Sequence, residues 1–202
     1  VGSEMCIRDR CWKDDGLRKR LKFCAELFMD RIYDSSRRHF NLFFDNAWNS
    51  LVEMDSYGHD VEAGWLLCEA ARVLEDRQLM DRANRLALDV TDACLVEGLS
   101  DKGYMMYEKK GGRTTGHASW WGQIETMIAC VNAWQISGND VYLQSADTVW
   151  TFVKDCMIDR EYGEWYSDCF DGEPKKDTPK VSMWRCPYHT VRLGVEIHNR
   201  LK

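Results

Sequence analysis

The chain has 202 residues, of which 45% are hydrophobic and 30% charged, with a formal net charge of −6. That length supports one sizeable core and offers no obvious second one, so one domain or part of one is expected. The acidic balance and the scattered placement of Lys and Arg exclude the basic stripe that a phosphate backbone requires, and nucleic acid is not an expected partner.

No stretch approaches the roughly 20 apolar residues of a membrane span. The nine cysteines are an odd count with no Cys-x-x-Cys pair, which fits a reduced, cytoplasmic protein better than a disulfide framework. The first ten residues, VGSEMCIRDR, have neither the apolar core nor the cleavage site of a signal peptide. They resemble a translated sequencing-adapter read-through, so residues 1–10 are expected to be a non-native leader, Cys6 included, ahead of a single unit at 11–202.

From Leu17 onward, Leu21, Cys24, Phe28 and Ile32 recur at helical spacing and predict a helix over about 13–35. HFNLFFD at 39–45 reads as a short strand or extended loop. A second helix runs from Gly58 to Leu74, and a third from Arg77 to Val96 on Leu79, Ala83, Leu86, Val90 and Ala93. After a Gly-bounded excursion over 101–118, which contains the extended segment GYMMYEKKGG at 103–112, a fourth helix covers Trp120 to Ile136. SGND at 137–140 is a tight turn into a fifth helix at 141–158. GEWYSDCF at 163–170 is again extended, and a sixth helix starts at Pro187, where the missing N–H of proline costs nothing.

What repeats is a two-helix unit whose second members begin near Tyr57, Trp120 and Pro187, about 60 to 70 residues apart. The expected fold is all-α, about six helices in three αα-hairpins joined by short β-hairpin-like loops. Such units stack as a solenoid or close as an α/α toroid, and periodicity does not choose between them.

Chemically useful residues gather at the starts of those three second helices. They are Tyr57, His59 and Glu62 in SYGHDVEAGWLL, Trp120, Trp121, Gln123 and Glu125 in SWWGQIET, and His189 with Arg192 in WRCPYHTVR. Parallel helices packed side by side bring their N-termini to one end, where the helix dipole favours an anion such as an enediolate. His59 and Glu62, three residues apart, share a helix face on which the carboxylate could orient the imidazole. A capping or core role for His59 and plain packing for the tryptophans compete with this reading. So does a zinc reading of His-x-x-Glu, although no HExxH or Cys/His cluster accompanies it. Two adjacent tryptophans followed by Gln and Glu cannot all face one core, so at least one is expected in a cleft, against a sugar ring. Cys186 beside Arg185 reads as a small buried residue rather than a nucleophile. His39, His117 and His198 show no comparable setting, and His198 falls in the last turn.

GHDVEAGWLL at 58–67, WWGQIE at 120–125, MWRCPYHTVRLGVE at 183–196 and HFNLFFDNAW at 39–48, in that order and spacing, resemble the N-acylglucosamine 2-epimerase family in its cellobiose 2-epimerase branch. The resemblance covers about 12 to 201. It implies an (α/α)6 barrel of which this chain supplies the C-terminal half, with no metal or other cofactor. It makes His59 and His189 the acid/base pair and Glu62 an assistant in ring opening and proton relay. Trp120, Trp121 and Trp184 become sugar contacts, and Tyr57, Glu125 and Arg192 further substrate-binding candidates. Gly122 stands where the branch often has proline, and Thr190 where many members have asparagine; both bear on substrate preference.

The implied reaction inverts C2 of a reducing-end glucose unit through an enediolate, for which histidine, with an ordinary pKa near 6.5, suits both proton removal and return. The implied partner is a small carbohydrate, for a protein that is a monomer or weak homodimer. Within the family the rivals are an N-acylglucosamine 2-epimerase and an aldose–ketose isomerase. Outside it they are a glycoside hydrolase using Glu62 and Glu125, and an inactive fragment or sugar-binding protein. The family's other half brings a further His and an Arg, so the isolated chain is expected to expose an apolar face and to associate.

Overall fold

A computed structural model describes residues 12–202; the proposed leader and Cys6 lie outside the described residues. Among the described residues, Asp14 opens the first helix by accepting the Leu17 amide at 2.9 Å, and α1 spans Asp15–Leu27 before widening into a π-helical turn at Phe28–Ile32. α2 spans Tyr57–Leu74 and ends on Glu75 at φ 55. The carboxylate of Asp76 then caps α3, Arg77–Gly98, by accepting the Leu79 amide at 3.0 Å. α4 covers Trp120–Ser137 and stops at Gly138, whose φ of 71 is the left-handed conformation that glycine adopts freely. α5, Val141–Phe152, runs into a second π-helical turn at Val153–Met157, and α6 spans Tyr188–Arg200 behind Pro187.

These six helices form two rows. α2, α4 and α6 lie side by side, and α1, α3 and α5 back them. The rows differ as their sequences predict. Every residue of α4 from Gly122 to Ala133 is buried, as befits an inner helix, whereas α3 buries one stripe, Leu79, Ala83, Leu86, Ala87, Val90, Thr91, Ala93 and Cys94, ending at Gly98. The core runs between the rows through Val61, Trp65, Val90, Ile124, Ile128 and Val149. At Gly98 the packing is so close that an added Cβ would lie 2.7 Å from the Tyr57 ring.

Tyr57 therefore departs from its expected place at the site. Its side chain is fully buried in the core and its hydroxyl donates to the Glu97 carbonyl at 3.4 Å. Being first in α2 put it near the other candidates in sequence, but the turn of the helix points it toward α3.

The extended segments form three small antiparallel sheets. β1 (Tyr33–Asp34) pairs with β2 (His39–Phe40). β3 (Met54–Asp55), β4 (Glu108–Lys110) and β5 (Arg113–Thr115) make the second sheet, and β6 (His117–Ser119), β7 (Asp168–Phe170) and β8 (Glu173–Pro174) the third. The strand before α2 is thus bonded to the loop before α4, and the strand before α4 to the loop before α6. The starts of the three inner helices are tied together at one end.

Between α1 and α2 an apolar groove of about 480 Å³ is lined by Leu21, Phe28, Phe40, Leu42 and Leu66, and His59 and Glu62 form part of its wall. Among the described residues no helix is long and apolar enough to cross a membrane, and the seven cysteines are all free.

Candidate functional site

The tied helix starts bring His59, Trp121, Glu125 and His189 together. His59, in the first turn of α2, is exposed, and its Nδ1 lies 2.7 Å from the Ser56 hydroxyl. Its ring sits against Trp121 with 4.6 Å between centroids. The His189 ring lies 6.1 Å from the same indole. Trp121 is therefore shared by both imidazoles.

Glu125, one turn into α4, is fully buried and yet accepts from three donors. They are the Trp65 indole N–H at 2.9 Å, His189 Nδ1 at 2.6 Å and Arg192 Nη1 at 2.9 Å. A carboxylate can only accept, so His189 carries its proton on Nδ1 toward Glu125 and presents Nε2 as the basic nitrogen. Glu125, a substrate-binding candidate from the sequence, holds a histidine.

Arg192 is also bonded to Glu62 at 2.6 Å. Its guanidinium lies over the Trp65 ring at 5.4 Å and the Tyr188 ring at 4.3 Å, and it donates to the Tyr188 hydroxyl. Burial works against the charge, but Glu125 and Glu62 outweigh it and raise the Arg192 pKa above its ordinary value. One cation from α6 thus joins carboxylates of α2 and α4. The Glu62 carboxylate is engaged by Arg192, while the His59 ring is engaged by Ser56, so the proposed orientation of His59 by Glu62 is replaced by a local hydroxyl.

The remaining candidates divide. Trp120 packs beneath the Arg185 guanidinium at 4.8 Å and lies 6.4 Å from His189, edge on. Trp184 is 87% exposed, on the loop that precedes α6. Gln123 is buried and bonds the backbone of Met105 through both ends of its amide, at 2.8 Å each, pinning the 101–118 loop. Cys186 is exposed rather than buried, and it remains a free thiol. His198 is exposed as expected. His117 is stacked between Tyr107 at 4.6 Å and Phe170 at 5.0 Å. His39, given no special setting from sequence, is 1% exposed and lies 2.7 Å from the buried carboxylate of Asp60. No local spacing signals that pair, because β2 and α2 meet only through tertiary packing.

Glu62, Glu125 and His189 bring ligand-type atoms within 4.8 Å of one another. Arg192 Nη1 already lies between the two carboxylates, so the place a metal ion would take is filled by a guanidinium.

A close approach supports Trp121 from behind. A Cβ added at Gly58 would lie 2.6 Å from two atoms of the Trp121 ring and 3.3 Å from Gly122 Cα. Gly58→Ala is expected to push the indole out of its place against the histidines. The near-ultraviolet circular dichroism should change while the helical signal at 222 nm persists; an unaltered aromatic spectrum would contradict this packing.

A family model described as N-acylglucosamine 2-epimerase (GlcNAc 2-epimerase) matches residues 6–192. A cellobiose 2-epimerase of Bacteroides fragilis is 40% identical over 193 residues, which are 93% of this chain and 48% of that protein. One from Dictyoglomus turgidum is 32% identical over 189 residues, again 93% of this chain and 48% of the relative. Among solved structures, a sugar epimerase from a ruminal bacterium superposes with a TM-score of 0.91 at 33% identity, covering 97% of this chain and 51% of that one. The cellobiose 2-epimerase of Bacillus thermoamylovorans gives 0.91 at 32% identity, covering 99% and 51%. A D-mannose isomerase, at 18% identity and a TM-score of 0.80, shares the fold. The chain spans about half the length of the curated relatives it matches, and its two helical rows are half of an (α/α)6 barrel. With the three inner-helix motifs in place and the family model matched over nearly its whole length, the chain belongs to the N-acylglucosamine 2-epimerase family.

Proposed function

We propose that the protein carrying this chain is a carbohydrate 2-epimerase that inverts C2 of a reducing-end glucose unit, such as that of a β-1,4-linked disaccharide. The observation that carries this reading is the pair of imidazoles that both lie against Trp121, His59 at 4.6 Å and His189 at 6.1 Å. Each has Nδ1 engaged by the protein, by Ser56 and Glu125 respectively. Each is thereby left with Nε2 for proton transfer. Several relatives named cellobiose 2-epimerase support the substrate class.

In this mechanism the ring opens and one imidazole takes the proton from C2 of the aldehyde. The electron pair moves into an enediolate. The second imidazole, protonated, delivers a proton to C2 on the opposite face, and the carbonyl re-forms. Carbon, oxygen and charge balance with no outside oxidant, and the two histidines exchange protonation states over one turnover. Trp121 provides the flat apolar surface against which the C–H face of the sugar stacks.

Incubation with cellobiose, mannose or N-acetylglucosamine in heavy water tests the reading. The expected product from cellobiose is the glucosyl-mannose epimer carrying one deuterium at C2. Fructose alone from mannose would identify an aldose–ketose isomerase instead, and exclusive action on N-acetylglucosamine would reassign the substrate.

A further inference from the structure

A second group of charges lies outside the cleft, where β2 meets the start of α2. Asp60 is fully buried and spends both oxygens on β2: Oδ2 lies 2.7 Å from His39 Nδ1, and Oδ1 accepts the Phe40 amide at 2.8 Å. Since the carboxylate can only accept, the His39 Nδ1 bears a proton. The other ring nitrogen, Nε2, is buried without a hydrogen-bond partner, and the Glu97 Oε1 oxygen lies 3.6 Å from it. Carboxyl oxygens of Asp55 and Glu97 and the His39 ring lie within 4.8 Å of one another. In a neutral ring the Nε2 lone pair would face two carboxylates, an arrangement of acceptors with nothing to donate.

The neighbouring charges point the same way. Arg37 pairs with Asp55 at 2.6 Å and Lys109 with Glu97 at 2.7 Å. Arg37 is shared with Asp34 at 3.2 Å, so four carboxylates, Asp34 of β1, Asp55 of β3, Asp60 of α2 and Glu97 of α3, meet two permanent cations, from the β1–β2 hairpin and β4. The excess of negative charge favours a proton on His39, which lies against Asp55, Asp60 and Glu97. Tyr57 of α2, its ring 6.0 Å away, and the Cys94 thiol of α3 complete the surroundings.

We propose that His39 is held as an imidazolium between Asp60 and the Asp55–Glu97 pair, and that this ion cluster is a positioning device for His59. The second half rests on the epimerase reading; the charge on His39 does not. The link to His59 is direct. Asp60 follows it in sequence and donates its amide to the Ser56 carbonyl at 2.9 Å, while the Ser56 hydroxyl meets the His59 ring. β2 also continues into Asn41, Leu42 and Phe44, which line the same groove as His59 and Glu62. The cluster therefore sets the first turn of α2 against that segment.

Burial pushes the His39 pKa down, but Asp60, with Asp55 and Glu97 behind it, outweighs burial and leaves it raised. A raised folded value means that the cluster contributes fully below the ordinary histidine value of about 6.5 and is lost as pH rises through the folded one.

Nitrogen-15 NMR of the histidine rings in the protein carrying this chain tests the charge. At pH 7 both His39 ring nitrogens should be protonated. In Glu97→Gln the midpoint of proton loss should fall by about one pH unit, and the alkaline limb of epimerase turnover should fall with it while turnover at pH 6 is kept. A single protonated nitrogen at pH 7 would overturn the proposal. So would added Zn2+ that displaces a His39 proton and raises Tm, since the cluster would then be a metal site. If the ring titrates as expected but the alkaline limb of turnover does not move, the positioning half is overturned. Absence of any epimerase turnover, with the same ring titration, counts against the functional reading alone.

Discussion

His189→Ala is expected to lower C2 proton exchange by about 10²- to 10⁴-fold, the usual worth of a positioned general acid or base. The backbone at this position is the first turn of α6, and the side chain is partly exposed and hydrogen-bonded to Glu125. The fold should therefore survive the change, so that the loss appears in turnover rather than in Tm. Deuterium uptake at C2 measured with and without the substitution separates chemistry from folding. The same variant distinguishes the rival hydrolase, which would work through two carboxylic acids: glycosidic cleavage that continues undiminished in His189→Ala would sink the epimerase reading. Glu125→Gln serves as the companion. It leaves the shape almost intact but replaces an acceptor of three donors with a group that can present its N–H to His189, and so loosens the tautomer on which Nε2 basicity depends.

The second large effect falls on stability. Arg192→Met should cost about 3–5 kcal/mol, because it leaves the buried Glu125 and the partly buried Glu62 without their shared cation. The guanidinium is only 9% exposed and sits between the Trp65 and Tyr188 rings, so little solvent is available to compensate. Urea unfolding of the protein carrying this chain measures it, and the cycle with Glu125→Gln isolates the cause. The double variant should be less destabilised than the two single changes added together. Strict additivity would mean that the contact seen between these side chains contributes nothing.

Much of the fold is legible in the residues. Helical spacing in Leu21, Cys24, Phe28 and Ile32 and in Leu79, Ala83, Leu86 and Val90 marks outer helices with one apolar stripe, and Pro187 and Gly138 punctuate the ends. The small sheets are harder to read, because their pairings are distant. His117 meets Phe170, and Met54 meets Lys110, and no spacing within either segment specifies its partner.

The site divides in the same way. Its members were found because they cluster at three helix starts, a one-dimensional signal. Their roles were not, because a role depends on which side chain faces which. Glu125 supports His189 across 64 residues of sequence, and Arg192 reaches Glu62 across 130. Tyr57 shares its helix turn with His59 but points into the core. His39 lacked any local cue, since the carboxylate that gives it meaning lies 21 residues on.

The hydrogen-bonded strands at the helix starts separate two kinds of change. The two histidines of the proposed proton transfer stand on inner helices, whereas the turns at Gly111–Gly112 and Asp171–Gly172, with positive φ, carry neither of them. Lengthening those turns is expected to leave the helix starts in place, because the paired strands β4–β5 and β7–β8 lie between turn and helix. Loop length can therefore vary at these turns without moving the residues that meet at the helix starts.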